Sequence, residues 1–364
     1  MKTLIIALLC LVAVSHASDW THWRGDTRDD ASKEDSGFDS GAWPPAEAWE
    51  ASVGLGSSSP LVIDGKIYTM GHSRGQDSVV CLDATTGAEV WKQGYPCPEY
   101  GRRSKGDKDF YKGPSATPEY DASSGLLFTL SIDGDLNSWD TQSAGKRKWG
   151  INLYDTYKIP QRPQVTKRKG SHRDYGYACA PFVLRDWVIV EAGDPQRGNL
   201  LALDKNSGKE VWWSKNRDPA GHSGGIVPMV VEGIPCLVVL TAKNLVVTRI
   251  DPGREGETVA EYPWATDFIN NIPTPTVIGK HVIVTSKYNI SAMAKLEISL
   301  RGGARKVWQI KECSGVCSPV VHDGHLYWAN EGMHCVDLAT GKLRWSGGEY
   351  SAAGSCIATA DGRI

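Results

Sequence analysis

The chain has 364 residues, a net charge of −2 and 41% hydrophobic residues. This length is sufficient to bury a large core, and the near-neutral charge gives no indication of a nucleic-acid partner inside the cell. The 14 tryptophans and 39 glycines are the most informative part of the composition, because many of them recur at a regular spacing.

Residues 1–17 are typical of a secretory signal peptide. Lys2 precedes an apolar run over residues 4–14, and Ser15-His16-Ala17 places small residues three and one positions before a predicted cut after Ala17. The apolar run is too short to span a bilayer. We therefore expect a secreted or periplasmic protein with no transmembrane segment in the mature chain. An N-terminal extension over residues 18–42 would precede a single β domain over residues 43–364.

One sequence motif recurs along the domain, Asp-x-x-Thr/Ser-Gly-x-x-x-Trp. It runs from Asp83 to Trp91, Asp204 to Trp212 and Asp337 to Trp345, and with one extra residue from Asp140 to Trp149. Each copy is typical of a strand that ends at Asp, a tight turn whose Gly adopts a positive φ, and a return strand that ends at Trp. Four copies indicate a repeat architecture.

A proline that opens an apolar strand marks the same repeat, at Pro60, Pro118, Pro181, Pro228, Pro275 and Pro319. Proline is tolerated as the first residue of a strand, where its missing N–H is not needed. The spacing of these prolines is close to the roughly 40–50 residues of one four-stranded propeller blade. No convincing helix is found in the mature chain. The sequence therefore predicts an all-β fold, a β-propeller of four-stranded blades with seven blades, or eight.

The last residues, 355–364, copy the strand and turn that open the other blades and then stop. We therefore expect the last blade to be incomplete and the full gene to continue for a few tens of residues. Propellers commonly close the ring with an N-terminal strand in the last blade. Trp49 stands 11 residues before Pro60, as Trp308 does before Pro319. A strand near Trp49 is therefore predicted to close the ring.

These motifs resemble the pyrroloquinoline-quinone-like (PQQ-like) repeat propellers, whose signature is the Asp-x-x-Thr-Gly-x-x-x-Trp turn. The resemblance extends from residue 43 to the end. The family includes secreted non-enzymatic members and the propeller lipoprotein of the outer-membrane β-barrel assembly machine. The resemblance implies that the outer-strand tryptophans dock between neighbouring blades, a structural role for Trp49, Trp91, Trp149, Trp212, Trp264, Trp308 and Trp345. The large area that a Trp ring buries agrees with this role.

Two connections between blades are long and basic. Residues 92–117 and 150–180 each join an outer strand to the next inner strand, so both emerge on the same face of the ring, where binding sites tend to lie. They carry excesses of three and four positive charges. We expect this face to bind a protein partner or an anionic glycan through Arg102, Arg103, Lys167 and Arg168. The alternative is a solvated loop whose basic character has no function.

Polar residues that precede inner strands are the second group of binding candidates, and we expect them near the central funnel: His172, Asp174, Tyr175, His222, Asn270 and Asn271. Polar residues at strand entrances are also common without a binding role. Gly221-x-Ser223-x-Gly225 matches the hydrolase nucleophile motif, but that motif requires a strand-to-helix turn in an α/β sheet. The sequence therefore predicts no catalytic residue and no metal site.

Two functions remain open. The first is a secreted binding or scaffold propeller without a cofactor. The second is a quinoprotein oxidoreductase, dependent on PQQ and calcium, that acts on alcohols or sugars. Dehydrogenases of the family have an adjacent Cys-Cys pair near the cofactor, and some add a C-x-x-C-H haem site. The chain has neither, which favours the scaffold. Eight cysteines follow Cys10, and we expect at most two disulfide bridges among them.

Overall fold

The computed structural model describes residues 18–41, 44–103, 112–170, 172–349 and 354–364. The predicted signal peptide and residues 104–111 of the first basic loop therefore lie outside the described residues. Within the described ranges, 24 strands form six antiparallel sheets, each made of four consecutive strands. The predicted all-β propeller of four-stranded blades is confirmed, with six complete blades in this part of the chain.

The blades follow one another along the chain. Blades 1 and 2 contain β1–β8, at Leu61–Ile63, Lys66–Ser73, Gln76–Asp83, Glu89–Pro96, Glu119–Asp121, Leu126–Leu130, Asp135–Asp140 and Lys146–Asn152. Blades 3 and 4 contain β9–β16, at Phe182–Leu184, Trp187–Asp194, Gly198–Asp204, Glu210–Trp213, Val227–Val231, Ile234–Leu240, Asn244–Arg249 and Thr258–Pro263. Blades 5 and 6 contain β17–β24, at Thr276–Ile278, His281–Ser286, Ala292–Ser299, Gly303–Ile310, Val320–His322, His325–Ala329, Met333–Asp337 and Leu343–Gly347.

The hydrophobic core is divided among the interfaces between blades. Five clusters of buried apolar residues each join two consecutive blades, from blades 1 and 2 to blades 5 and 6. In β10, Val188 and Val190 pack against blade 2, whereas Ile189 packs against blade 4. Successive side chains of a strand point to opposite faces, so a strand between two blades is apolar on both sides.

The repeated Asp-x-x-Thr/Ser-Gly turn joins the third and fourth strands of a blade. In blade 1, Asp83 Oδ1 accepts hydrogen bonds from Thr86 N and Thr86 Oγ1, both at 2.8 Å. Gly87 follows with φ 70°, in the left-handed region that glycine adopts without steric cost. The side-chain oxygen of Asp therefore closes the turn, and Gly lets the chain return.

Four of the predicted docking tryptophans lie on the turn of the next blade. Trp149 Nε1 donates to the Lys205 carbonyl at 2.9 Å, and its ring covers Gly208, where an added Cβ would lie 2.7 Å from the ring. The same arrangement recurs in three pairs: Trp49 on Gly87, Trp91 on Gly145, and Trp308 on Gly341. The rings of Trp91, Trp149 and Trp308 each wedge one blade against the next, whereas Trp49 covers the turn of blade 1 from the segment that precedes it.

The other three predicted docking tryptophans have different surroundings. Trp212 packs edge-on against Trp187 of its own blade, with ring centres 5.8 Å apart. Trp264 is buried in the core between blades 4 and 5. The turn of blade 4 lacks the repeated spelling, and Gly253 in that turn has no neighbouring atom within 4 Å of its Cβ position. Trp345 of β24 is 48% exposed.

The segment around Trp49 is not a strand in the structure. Trp49 nevertheless has the contacts of a docking tryptophan, because its Nε1 donates to the Ala84 carbonyl at 3.1 Å. The N-terminal extension pairs with residues 358–360 through a parallel bridge between Ala31 and Ala358. This pairing, and not a strand at Trp49, joins the extension to residues that follow blade 6.

Helical structure in the described ranges comprises α1, at Leu153–Tyr157, and three 3-10 turns, at Phe38–Ser40, Thr141–Ser143 and Asp267–Ile269. The sequence predicted no helix, and α1 is a single turn whose N-cap Asn152 accepts a hydrogen bond from Asp155 N. No helix among the described residues is long and apolar enough to cross a membrane. The eight cysteines after Cys10 are free thiols.

Candidate functional site

The centre of the ring contains the chain's own N-terminal extension. Residues 20–28, here called the axis segment, contact blades 1 and 2 at their first strands. Trp20 forms an antiparallel bridge with Val62 of β1. Arg28 forms an ion pair with Glu119 of β5. Its guanidinium carbon also lies 4.4 Å from the centre of the Phe182 ring, in β9 of blade 3.

The axis segment also contacts the other three blades. Trp23 Nε1 donates to Thr274 Oγ1, which lies just before β17, at 2.9 Å, and the Trp23 ring packs on Gly225, just before β13. Arg24 Nη2 donates to the Pro319 carbonyl, just before β21, at 2.8 Å. A segment this short can meet the first strand of every blade, or the residues leading into it, only on the axis of the ring. The predicted funnel is therefore filled at this level by the chain itself.

Buried charges hold the axis segment in place. Glu119 is fully buried and accepts hydrogen bonds from Arg28, from Val183 N at 2.9 Å and from the His22 ring at 3.0 Å. Burial alone raises the pKa of Glu119, but the positive charge of Arg28 and the hydrogen bonds outweigh burial, so the pKa lies below its ordinary value. A buried carboxylate is tolerated because it is paired and hydrogen-bonded.

Close neighbours explain why the hydrolase-like motif has glycine at positions 221 and 225, and one of these neighbours belongs to the axis segment. A Cβ at Gly225 would lie 2.5 Å from the Trp23 ring, and one at Gly221 would lie 2.4 Å from the Leu240 carbonyl oxygen. Ser223 between them is fully buried. The glycines therefore provide space for an indole ring and a neighbouring strand.

The polar candidates lie on one side of the ring, where the fourth strand of each blade connects to the first strand of the next. We call this side the loop face. Asp174 accepts hydrogen bonds from Arg162 Nη1 at 2.6 Å and from Arg162 N at 3.0 Å, and both side chains are buried. The ring of His172 contacts the Arg162 carbonyl. Burial raises the pKa of Asp174, but the adjacent Arg162 guanidinium outweighs burial and the pKa lies below its ordinary value.

His222 links this ion pair to the next connection along the loop face. Its Nδ1 lies 2.8 Å from the Ile269 carbonyl oxygen, and its Nε2 accepts a hydrogen bond from Tyr175 N at 3.2 Å. A carbonyl oxygen cannot donate and a backbone N–H cannot accept, so the ring is neutral with its proton on Nδ1. Burial and the nearby charge of Arg162 lower the pKa of His222 to about 3.

Asn270 and Asn271 follow in the connection between blades 4 and 5. Asn271 Nδ2 donates to the carbonyls of Thr241 and Trp264, both at 2.7 Å. Asn270 is buried and its side-chain oxygen has no partner among the described residues. The structure thus brings the six polar candidates onto adjacent connections, where five are buried and His172 is partly buried. Arg162, Asp174, His222 and Asn271 tie these connections together, and we call these four residues the loop network.

Sequence reasoning missed Glu191, a buried carboxyl beside the loop network. Its Oε1 accepts hydrogen bonds from Gly221 N at 2.9 Å and from Asn199 Nδ2 at 3.2 Å, while Oε2 has no partner among the described residues. Burial raises the pKa of Glu191 to about 7. The only available signal was a glutamate within an apolar strand. Glu191 is 1% exposed, so a substrate in solution does not reach it.

Two of the basic candidates lie near the end of β8. Arg102 donates from Nη1 to Asp155 Oδ1 at 2.8 Å and from Nε to Asp133 Oδ2 at 2.9 Å. The Arg103 guanidinium lies over the Tyr154 ring, 5.0 Å from its centre. The charge of Arg102 is therefore neutralised within the protein, while Arg103 is placed by a cation–π contact.

The other two basic candidates lie further along the same connection. Lys167 and Arg168 are both exposed. Arg168 lies 3.5 Å from an oxygen of Asp267 and stacks over the Phe268 ring, 5.5 Å from its centre. The four basic candidates therefore share the loop face but do not converge on one point.

The loop face contains a cavity of about 310 Å³ between the connections that flank blade 3. Its walls are largely apolar, and two exposed cations, Arg217 and Lys243, lie at its rim. The wall residues include Tyr154, Ile159, Tyr177, Ala192, Pro219 and Ala220. Arg217 and Lys243 lie outside the two loops that the sequence singled out, so composition alone did not reveal them.

The side chains do not fit a PQQ and calcium site. Calcium takes about six to eight oxygen ligands, mostly carboxylates and carbonyls. Among the described residues, no group of three or more His, Cys, Asp or Glu side chains could hold a metal ion. Asp174, the carboxylate among the polar candidates, already accepts hydrogen bonds from Arg162 and Gly176. We derive no chemical step from these groups.

Among curated proteins, the chain is similar to the dehydrogenase subunit of the alcohol dehydrogenase (quinone) of Komagataeibacter europaeus, with 28% identity over 159 residues. This match covers 42% of the chain and 19% of that relative's length. Among solved structures, BamB from Moraxella catarrhalis matches with a TM-score of 0.53 at 17% identity, covering 85% of this chain and 82% of that one.

The quinohemoprotein alcohol dehydrogenase from Comamonas testosteroni matches with a TM-score of 0.52 at 12% identity, covering 93% of this chain and 74% of that one. Identities this low show a shared fold only. A family model with the description "Outer membrane protein assembly factor BamB" matches residues 75–347, well over half of the chain. The chain therefore belongs to this family of PQQ-like repeat propellers, named after the outer membrane protein assembly factor BamB.

Proposed function

We propose that this protein is a binding scaffold that holds a protein partner on its loop face. The observation that carries the proposal is the filled axis. The axis segment takes up the centre of the ring, where a funnel ligand would bind, through contacts such as Arg28 with Glu119 and Trp23 with Thr274. The loop face is the side that carries the two long connections, together with exposed cations such as Lys167 and Arg217.

Free positive charge on the loop face supports a charged ligand. Lys167, Lys169, Arg217 and Lys243 are exposed, and none of them forms an ion pair within the described ranges. Clustered charge of one sign speeds association with a partner of the opposite sign and favours the correct orientation. An anionic glycan is the second ligand class that such a surface suits.

A quinoprotein oxidoreductase is the competing function, favoured by the similarity to a quinone-dependent alcohol dehydrogenase over 159 residues. The donor set argues against it, as does His222, which is held neutral between two backbone groups. Titration of the purified protein with PQQ and calcium separates the two functions. We expect no saturable change in cofactor absorbance and no dye-linked oxidation of alcohols or sugars. Turnover would replace the scaffold proposal.

The scaffold proposal is tested by photo-crosslinking in the native host. A photoreactive amino acid would replace Lys167 or Arg217 on the loop face. Control positions are Lys209 and Lys342, exposed residues that follow the Gly of the docking turns on the opposite side of the ring. We expect a discrete protein adduct from the loop-face positions only. Adducts of equal yield from both sides, or from neither, would contradict the proposal.

We also propose export to a secreted or periplasmic location, with cleavage of the signal peptide after Ala17. The support is the charged, apolar and small-residue pattern of residues 1–17. Intact mass of the protein isolated from its host, together with N-terminal sequencing, tests this. A mature chain that begins at Ser18 is expected, and a retained Met1 would contradict it.

A further inference from the structure

We propose that the cavity on the loop face is the anchor point for the partner, and that it accepts an aromatic side chain from an acidic peptide segment. This inference rests on the proposed scaffold function and specifies the chemistry of the partner. We call the cavity, with its walls and its two rim cations, the anchor cavity.

The size and walls of the anchor cavity suit one large side chain. Its 310 Å³ lies at the lower end of the roughly 300–1,000 Å³ of small-molecule sites. Tyr154 and Tyr177 meet there at a tilt of 40°, with ring centres 5.2 Å apart. Aromatic rings prefer tilted and offset neighbours, so a third ring adds favourably to this pair.

The positive charge at the rim of the anchor cavity favours acidic residues on either side of the partner's aromatic residue. Arg217 and Lys243 border the cavity and carry no ion pair within the described part of the chain. Arg162 also lines the cavity, but its charge is compensated by Asp174 at 2.6 Å. Net positive charge therefore lies at the rim, beside an apolar interior. Carboxylates that flank the aromatic residue of the partner peptide would lie next to this positive charge.

The nearby carboxylates do not compete for these two cations. Asp194 pairs with Arg197 at 2.6 Å, and Asp155 pairs with Arg102 at 2.8 Å. Asp218 is buried and accepts hydrogen bonds from two side chains of the neighbouring blade, at 2.6 and 2.9 Å. These three acidic groups therefore each have a partner already.

The walls are held in place before any ligand arrives. Arg162 Nε donates to the Ala220 carbonyl at 2.6 Å, and Tyr177 hydroxyl donates to the Ala192 carbonyl at 3.0 Å. Gly193 packs directly on Ala220, where an added Cβ would lie 2.2 Å from the backbone nitrogen. A preformed cavity loses little conformational entropy on binding.

A displayed library of random heptapeptides, panned against the purified full chain, tests the inference without assuming a sequence. The loop variant is R217E/K243E. The matched control is K209E/K342E, with the same charge change on the opposite side of the ring, and circular dichroism shows that both variants fold. We expect the wild type and the control to enrich peptides with one aromatic residue flanked by Asp or Glu.

A synthetic peptide with the enriched consensus should bind the loop variant at least about tenfold more weakly, and the affinity for the wild type should fall as salt is raised. Uncharged or basic consensus sequences, or equal affinity for the loop variant, would overturn the inference. So would a lack of enrichment, including the case in which only a sulfated oligosaccharide binds. Loop-face crosslinks without peptide enrichment would leave the scaffold proposal standing and reject only the anchor cavity.

Discussion

Arg28 pairs with Glu119 on the axis of the ring, and neither side chain is more than 8% exposed. A buried ion pair that loses one partner leaves an uncompensated charge in a low dielectric. Substitution of Arg28 by Met should therefore lower the free energy of unfolding by about 3–5 kcal/mol, measured by urea denaturation.

The control for this substitution is Arg254→Met, which breaks the exposed pair of Arg254 with Glu257 at 2.6 Å. Exposed pairs contribute about 0–1 kcal/mol, so this variant should change stability little. The double variant R28M/E119Q should recover part of the loss, because it removes the stranded carboxylate. Equal, small effects of R28M and R254M would mean that the axis segment is not docked in solution.

Gly208 should be far less tolerant of substitution than Gly253, although both have positive φ, at 68° and 78°. Alanine at either position is strained by about 1 kcal/mol or more. At Gly208 the new Cβ would also meet the Trp149 ring at 2.7 Å, whereas nothing lies within 4 Å at Gly253. Overpacking adds about 1–3 kcal/mol. Thermal and urea unfolding of G208A and G253A measure the difference, and equal losses would argue against the docked indole.

The effect of Glu191→Gln on the free energy of unfolding, relative to wild type, should become more favourable as the pH rises. The pKa of Glu191 is about 7 in the folded protein, above the ordinary 4.5, so the native state holds an extra proton between these values. The free energy of unfolding therefore falls with rising pH in this window, by up to about 1.4 kcal/mol per pH unit. Gln carries no such dependence. The stability of E191Q relative to wild type should be greater at pH 8 than at pH 5, and an unchanged difference would contradict the buried, protonated carboxyl.

His222→Asn should remove a dependence of the opposite sign. The folded pKa of His222 is about 3, below the ordinary 6.5, so the unfolded state binds the extra proton between these values. The contribution of His222 to the free energy of unfolding is therefore fully present above about pH 6.5. It falls as the pH is lowered, by up to about 1.4 kcal/mol per pH unit. In wild type this slope opposes that of Glu191 between pH 4.5 and 6.5. In E191Q the His222 slope is uncompensated, so urea unfolding from pH 4.5 to 6.5 should show a flatter acid limb for the double variant E191Q/H222N than for E191Q. Equal acid limbs in these two variants would reject the neutral, buried imidazole.

The blades could be predicted from the sequence because their signals are local. The turn from Asp83 to Gly87 is closed by atoms three residues apart, and its glycine needs a positive φ whatever the rest of the chain does. Repetition of this turn and of the strand-opening prolines was enough to predict four-stranded blades. The same signals did not show that Trp212 and Trp264 have surroundings different from those of Trp149, because these surroundings depend on the turn of the next blade.

The axis segment could not be predicted, since its partners are distributed over all six blades. Nothing in the spelling of residues 20–28 indicates that Arg28 faces Glu119 or that Trp23 faces Gly225. The loop network was found only in part. His222 and Asp174 were candidates by position, but the charge of Asp174 is compensated by Arg162, which in the sequence is one of several cations in its loop.

The axis segment also bears on how the ring is assembled. Trp23 and Thr274 are 251 residues apart in sequence, and Arg24 and Pro319 are 295 apart. Contacts of such long range form late, because the intervening chain must be ordered first. Residues synthesised early thus wait for blades 5 and 6 before they can dock. A ring in which blade 5 is misfolded would leave the Trp23 indole without its Thr274 partner, and an exposed indole is a feature that chaperones and proteases recognise in incompletely folded chains.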